Sequence, residues 1–573
     1  PRSTVRSAAS TPKRQAAAEV RHHLVSMAAD RFGVEAADLT VDRGVISNPH
    51  GNEQVSYWKL LDGRQLDMEA SGEAAPKAAS EHTIVGKTAP RIDIRAKVTG
   101  EPAFIQDQRF EDMLHGRIVR SQGNAYHPVA IDTREVEAME GVVKVVVDGR
   151  FIGVIAETEY TASRARAKLK QGIEWQVDES LRLPADIHEF LENNVGVSLL
   201  IDENGAPCDT PIPDLIDNGD TTVTASNRKP FHMHGSIGPS AATAIMSEDG
   251  KLTIQSHSQG PFIIRAAIAQ ALGMETDDVQ VEHVENAGCY GHNGADDAAM
   301  DAAMLARHCP GHHILLKWER EDEHLWEPYS PAMLMKMQAS LTDGKVTAWN
   351  ADVFSESHGG RPVPFGSVSN LIAAWHKADP MPKADARPGR GPHGGIHRNA
   401  DPYYEFPERR VVKRLVPDKK IRTSSTRGLG AYGNVFAIES FMDELANAAD
   451  ADPVEFRKRH LSDPRALAVI DACHARANEY RPDVDAPWKA GRGFAFARYK
   501  NSRTYAAVTM FLAVNEETSA IRLLHAIIAA DAGQIIDTDG LANQLEGGLI
   551  QSASWTLKEA VQFDEFATTS LDW

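Results

Sequence analysis

From Val279 to Ala306 the chain reads VQVEHVENAGCYGHNGADDAAMDAAMLA. The alternation at its start predicts a short strand, with Val279, Val281 and His283 on one face and Gln280, Glu282 and Val284 on the other. Gly288, Gly291 and Gly294 then interrupt the chain. Ala298, Ala299, Ala302, Ala303 and Leu305 predict a helix of small residues that can pack very close to its neighbours. The same order of glycine turn and helix recurs at Gln259-Gly260, at Arg427–Gly433 before an amphipathic helix Val435–Ala449, and at Asp531–Gly533 before a long helix that carries Gly547 and Gly548.

The remaining patterns are simpler. A helix is predicted over Lys13–Phe32, with Val20, Leu24, Met27 and Ala28 as its apolar stripe and Gly33 as its C-terminal cap. A short strand Leu39–Val41 and a turn at Asp42–Gly44 follow. Strands are predicted at Leu114–Val119, Val142–Val147, Ile152–Ala156, Leu252–Gln255 and Ile314–Trp318, with a hairpin of Tyr505–Val514 and Ile521–Ala530. Thr158 should cap a helix running to Lys170. Asn48–His82 reads as a connector, Thr83–Asp107 as the start of an irregular β domain, and 176–228 as an acidic, Pro-punctuated linker. Residues 353–405, including GGRPVPFG, read as a long loop. The pattern helix, apolar-Gly-apolar, Asp, strand occurs at both Phe32–Val41 and Leu272–Val281, which suggests an internal repeat.

A chain of 573 residues exceeds the size at which one core keeps growing, so several domains are expected. Lys plus Arg number 61 against 80 Asp plus Glu, a formal net charge of −19. That balance, with no long basic run, argues against nucleic acid or an anionic membrane surface as partner. No apolar stretch approaches the ~18 residues that span a bilayer. Cys208, Cys289, Cys309 and Cys473 lie far apart with no CxxC, so no iron–sulfur cluster and no disulfide framework is expected in this chain. His308, Cys309, His312 and His313 crowd around Pro310-Gly311 but read as a polar turn, and no protein-ligated metal site is assigned.

The glycine loop at Gly288 has two readings from the residues alone. Its backbone N–H groups and the helix N-terminus suit an anion or a metal-bound oxygen. In the other reading Asp296 and Asp297 merely cap the helix. A dinucleotide-binding unit, with Glu319 as its ribose acid, is imitated but not matched. The glycines are spaced GxxGxxG, and Tyr290 and His292 put bulk where a pyrophosphate needs bare backbone.

Taken together, VGKTAPRIDIRAKVTG, SxxQGP, AGCYGHNGADDAA, RGLGAYGNVFAIESFMDELA and DAGQII…NQLEGG resemble, in this order, segments of the large molybdopterin-binding subunits of the xanthine dehydrogenase and aldehyde oxidase family. The text looks nearest the branch of nicotinate dehydrogenase and isoquinoline 1-oxidoreductase β subunits. The resemblance implies an α+β, multidomain fold: an N-terminal piece of a cofactor domain at 1–75, an a/b hammerhead domain at 83–175 and a linker at 176–230. Two elongated molybdopterin-binding α/β domains would follow at 231–420 and 421–573, the second incomplete. It also implies a molybdenum–molybdopterin cofactor, in its cytosine dinucleotide form, held by hydrogen bonds rather than by protein ligands.

By position, Gln259 matches the glutamine that bonds a molybdenum oxygen, and Tyr290 and Gly291 match the aromatic-Gly pair facing the metal. Arg427 matches the arginine of the second cofactor loop, and Gln544 a glutamine that contacts the pterin. Gly260, Gly288 and Cys289 complete the expected cofactor contacts, with Gln259 and Arg427 nearest the chemistry. Arg427 could instead pair with Glu439 or Asp443. The family's GQG segment and its Gly-x-Gly-Glu base do not occur in residues 1–573. The resemblance places the first upstream of Pro1 and the glutamate beyond Trp573, so the chain reads as a piece of a longer subunit.

The implied reaction is oxidative hydroxylation of an N-heteroaromatic compound or an aldehyde, with water as oxygen source. Electrons would pass to a small [2Fe–2S] subunit and on to a cytochrome c. An inactive or split molybdopterin-binding subunit is the alternative, and an NAD(P)-dependent dehydrogenase a further one. Arg361, His393, His397 and Arg398 in the loop 353–405 would suit a carboxylated substrate. A cytoplasmic location, or one peripheral to the inner membrane, is implied. A start at Pro1 rather than Met leaves a periplasmic one open.

Overall fold

A computed structural model describes residues 10–69, 71–362, 370–386 and 388–572, so part of GGRPVPFG lies outside the described residues. Its contacts divide the chain into two units: residues 1–90 with 502–504 and 530–547, and residues 91–501 with 505–529 and 548–573.

In the smaller unit, helix Ser10–Phe32 packs Leu24 and Ala28 against Ile46 and Val55 of an antiparallel sheet, Thr40–Asp42, Val45–Ser47 and Gln54–Ser56. The third strand and a short helix, Tyr57–Leu61, fall in the stretch expected to be a bare connector. Thr83–Asp107 is also corrected: it forms no strand among the described residues. Its regular elements are a helix Ile94–Thr99, ended by Gly100 at φ +78°, and a single turn at Ile105–Asp107.

The larger unit is built on two sheets. One has seven strands in the order Val279–His283, Leu252–Ser256, Ala241–Met246, Ile314–Lys317, Leu114–Val119, Phe151–Ala156, Val142–Asp148. Strand Leu114–Val119 pairs in parallel with Ile314–Lys317 and antiparallel with Phe151–Ala156. Strands from the expected hammerhead segment and from the expected first cofactor domain therefore share one sheet and one core, in which Ile118, Phe151 and Ile155 cluster with Ala244, Ile254, Ala299 and Leu316.

The second sheet has six strands: Pro207–Cys208, Val197–Ile201, Glu408–Leu415, Lys345–Ser355, Met333–Thr342, Thr221–Lys229. Three of these come from the stretch read as a linker, which instead supplies both edges of this sheet and the helix Ile187–Asn193. Helix Ala431–Ala448 covers it through Ala437, Phe441 and Leu445, against Met333, Met335 and Trp349.

Helix Ala295–Ala306 lies within the first core with every one of its residues buried. Close packing explains its composition. A Cβ added at Gly116 would lie 2.6 Å, and one at Gly153 2.9 Å, from the Leu305 side chain, so both strands need glycine beneath this helix. Asp301, at the middle of the helix, is neutralised locally: Arg120 Nη2 donates to both of its oxygens at 2.6 Å, and Trp318 Nε1 donates to Oδ2 at 2.9 Å. The pattern behind the suggested repeat has the same local form in both places, although the strand that follows pairs antiparallel in one and parallel in the other. Both copies end a helix on a left-handed glycine, Gly33 at φ +69° and Gly273 at φ +66°, and continue through one 3-10 turn into a strand.

Two measurements test this packing. Asp301→Ala leaves the Arg120 guanidinium buried without its counter-charge, and should lower the unfolding free energy by about 3–5 kcal/mol in chemical denaturation. Lys229 is fully buried, with Nζ donating to Ser330 Oγ at 3.0 Å and to the carbonyls of Pro331 and Pro230 at 2.8 and 3.1 Å. Burial lowers its pKa to about 7. Between that value and the ordinary lysine range the unfolded chain binds the extra proton, so stability from this group rises with pH from about 7 upward. Lys229→Met should flatten that rise, measured as the difference between the two proteins' denaturation midpoints at pH 7 and pH 9.

Candidate functional site

Three of the four glycine turns converge in the larger unit. Residues 290–292 run antiparallel to 425–427: Arg427 N donates to Tyr290 O at 2.7 Å, His292 N donates to Ser425 O at 2.8 Å, and Gly291 and Thr426 form a bridge. Gly291 has φ +138°, and a Cβ there would lie 2.3 Å from Ser425 O, so glycine is required for this approach. Tyr290 holds φ +59° and Gly288 φ +103°. A non-glycine residue in the left-handed region costs of order 1 kcal/mol and persists only where its surroundings fix it. The Tyr290 ring remains exposed, and the Cys289 thiol donates to Gly291 O at 3.3 Å.

Behind this loop the polar groups form a buried network. His292 Nδ1 lies 2.7 Å from Ser424 Oγ and Nε2 lies 2.9 Å from Asp296 Oδ2, with the ring and the carboxylate both buried. Burial lowers the His292 pKa, which favours the neutral ring. Gly360 N donates to Ser424 Oγ at 3.1 Å and Arg361 Nη2 donates to Gln259 Oε1, which brings the third loop to this network. A second histidine supports the same backbone from the other side: His234 Nε2 is 3.1 Å from Ser425 O, and its Nδ1 is 3.3 Å from Glu327 Oε1.

Gln259 is exposed beyond the end of the strand Leu252–Ser256, one residue before the N-cap Gly260 of helix Pro261–Leu272. Arg361 Nη2 donates to its Oε1. Arg427 is half-buried, and its Nη1 donates to Gln551 Oε1 at 3.3 Å. Glu439 and Asp443, the expected alternative partners of Arg427, both bind Arg457, at 2.8 and 2.7 Å. Gln544 is exposed on helix Thr538–Leu557 and belongs to the smaller unit, so it is not among the residues gathered here.

The capping reading of the aspartates fails. Helix Ala295–Ala306 has Gly294 as its N-cap without a side-chain bond, while Asp297 accepts from Ile372 N at 2.9 Å and from Arg422 Nη1 at 2.7 Å. The dinucleotide reading fails too. Glu319, its supposed ribose acid, pairs with Arg117 Nε at 3.1 Å and accepts from Ser163 Oγ at 3.0 Å. Of the loop residues expected near a carboxylated substrate, Arg361 alone reaches Gln259. His397 bonds its own turn at Gly391 and Gly394, His393 packs beside Gly205, and Arg398 donates to His393 O and Tyr499 Oη.

The site is therefore a donor set rather than a ligand cage. Helices Pro261–Leu272 and Ala431–Ala448 begin at Gly260 and Gly430 with no side-chain cap, and their N-termini favour negative charge. A Cβ at Gly260 or Gly428 would meet its nearest neighbour at an ordinary contact distance, 3.7 or 3.9 Å, so the backbone beside Gln259 and Arg427 is uncrowded. Among the described residues no group of three His, Cys, Asp or Glu could hold a metal ion. Such a surface fits an anionic organic cofactor that brings its own metal ligands.

His292, Asp296 and Ser424 do not stand out as a unit in the sequence. The His and Asp stand at i and i+4, a spacing that puts both on one side of a turn entering a helix. Ser424, 132 residues on from His292, has no such local signal.

Two segments match a protein family described as the molybdopterin cofactor-binding domain, residues 212–374 and 424–572, together more than half the chain. A nicotinate dehydrogenase component from Pseudomonas putida is 33% identical over 98% of this chain, which spans 47%, about half, of that relative's length. The β component of isoquinoline 1-oxidoreductase from Brevundimonas diminuta is 24% identical over 96% of this chain and 72% of its own. Among solved structures, quinoline 2-oxidoreductase from Pseudomonas putida shares the fold with a TM-score of 0.65 at 14% identity, over 85% of this chain and 88% of that one. Aldehyde oxidoreductase from Desulfovibrio gigas does so with 0.64 at 17%, over 83% and 72%. With these matches spanning the loops that converge at Gln259, Tyr290 and Arg427, the chain belongs to the molybdopterin-binding subunits of the xanthine dehydrogenase and aldehyde oxidase family.

Proposed function

We propose that this chain carries the cofactor-holding part of a molybdenum hydroxylase that oxidises an N-heteroaromatic compound, nicotinate-like or isoquinoline-like, or an aldehyde. Electrons would pass to a separate [2Fe–2S] subunit and from there to a cytochrome c. The convergence of three glycine loops on one donor-rich surface carries the reading. When bound, the molybdenum–molybdopterin group, in its cytosine dinucleotide form, supplies the oxygen-transfer and two-electron chemistry, and the chain supplies orientation and electrostatics. In this reading Gln259 would offer its amide N–H to the cofactor while Arg361 fixes the opposite end of that amide. The backbone of Tyr290 and Gly291 would line the same place, with Gly260, Gly288 and Cys289 shaping the loops around it. Arg427 places a fixed positive charge beside the second loop, and Gln544 is assigned to the pterin by its match to the family.

The substrate assignment rests on Arg361. Its guanidinium, tied to Gln259, places a cation beside the reacting position, which suits a ring bearing a carboxylate. No helix of the described residues is long and apolar enough to cross a membrane. The cytoplasmic or membrane-peripheral place of work assigned here follows from the family alone.

Expression with molybdopterin-synthesising machinery and the iron–sulfur partner should give one molybdenum per chain. Turnover of a heteroaromatic substrate in 18O-water should place the label in the product. Bound cofactor without turnover would favour a binding subunit instead. Arg361→Ala should reduce the preference for nicotinate over a neutral pyridine, as a ratio of kcat/KM, by about tenfold or more, since a charge-assisted hydrogen bond contributes roughly 1.5–3 kcal/mol. An unchanged ratio would remove the case for a carboxylated substrate.

A further inference from the structure

The loop at Tyr290 needs something to hold it, because neither its glycines nor its left-handed tyrosine prefer this shape. Its backbone contributes two hydrogen bonds to residues 425–427. Within the loop the His292 side chain is fully enclosed, 2% exposed, and Nδ1 is its hydrogen-bonded ring position. Its Nδ1 meets Ser424 Oγ at 2.7 Å on the segment that leads to Arg427. Its Nε2 meets Asp296 Oδ2 at 2.9 Å on the first turn of helix Ala295–Ala306. Ser424 Oγ in turn accepts from Gly360 N at 3.1 Å, next to Arg361.

Through Ser424 a single imidazole thus links the loop of Tyr290 to the segments that carry Arg361 and Arg427.

We propose that His292 is a positioning residue: its buried imidazole, held by Ser424 and lying against Asp296, clamps the cofactor-facing loops into one register. Its relevance to the cofactor rests on the reading given above, whereas the clamp itself is a property of the chain alone. The two claims fail separately in one experiment on the full chain.

The first readout is amide hydrogen exchange of the cofactor-free protein. Ser424→Ala removes the hydroxyl from a side chain that need not be replaced for folding, and His292→Ala removes the ring. Either should speed exchange at the amides of Gly288–Gly291 and of Arg427 by at least about tenfold, the effect of losing a buried hydrogen bond, with exchange in helix Ala295–Ala306 unchanged.

Unchanged loop exchange in Ser424→Ala would overturn the clamp. The second readout is molybdenum per chain after expression with the cofactor machinery. Occupancy in Ser424→Ala below that of the wild type is expected, and equal occupancy would deny the clamp any part in holding the cofactor. A wild-type chain that takes up no molybdenum would sink the functional reading while leaving the exchange result to decide the clamp.

Discussion

The larger unit depends on burying one helix completely. Ala295–Ala306 can enter the core only because its side chains are small and the strands beneath it carry Gly116 and Gly153 where Leu305 presses down. Sealing a helix on all sides forces its polar residues to find partners within the protein, since an unpaired buried charge is far costlier than a paired one. Asp296, Asp297 and Asp301 accordingly reach His292, Arg422 and Arg120, so the three acids of one helix become three anchor points. The loop that precedes this helix inherits its rigidity. Tyr290 is held in an unfavourable backbone conformation by the same burial that gives the fold its stability.

The electrostatic character of the site follows from what is kept out of it. The chain is strongly acidic overall, yet the carboxylates nearest the converging loops are turned inward and engaged. Arg361, Arg427, an amide and uncapped helix starts face outward. An anionic group therefore meets donors without a competing acid, and the protein needs no thiolate or imidazole directed at a metal.

Local patterns reveal most of the elements, and fail where partners are distant. The strand Val279–His283 and the glycine turns are visible because their periodicity and their φ requirements lie within a few residues. Thr221–Lys229 is invisible as a strand: TTVTASNRK is almost wholly polar because much of this edge strand is exposed, and its pairing with Met333–Thr342 is decided more than a hundred residues away. Thr83–Asp107 errs in the other direction. Its scattered Ile and Val suggest β structure, but with no strand beside them they settle into a short helix and turns. At the site the ordered motifs mark Gln259, Tyr290 and Arg427, whereas the Ser424–His292 contact needs the fold to bring it together.

The sheet that joins Leu114–Val119 to Ile314–Lys317 bears on how such a chain can evolve. Two segments that look like separate modules in the sequence share a hydrogen-bonded seam, and cutting the chain between them would expose two unpaired strand edges, each a template for association with another molecule. Insertions and exchanges between relatives should therefore accumulate in the surface loops around this sheet, while the two segments on either side of the seam are inherited together as one folding unit.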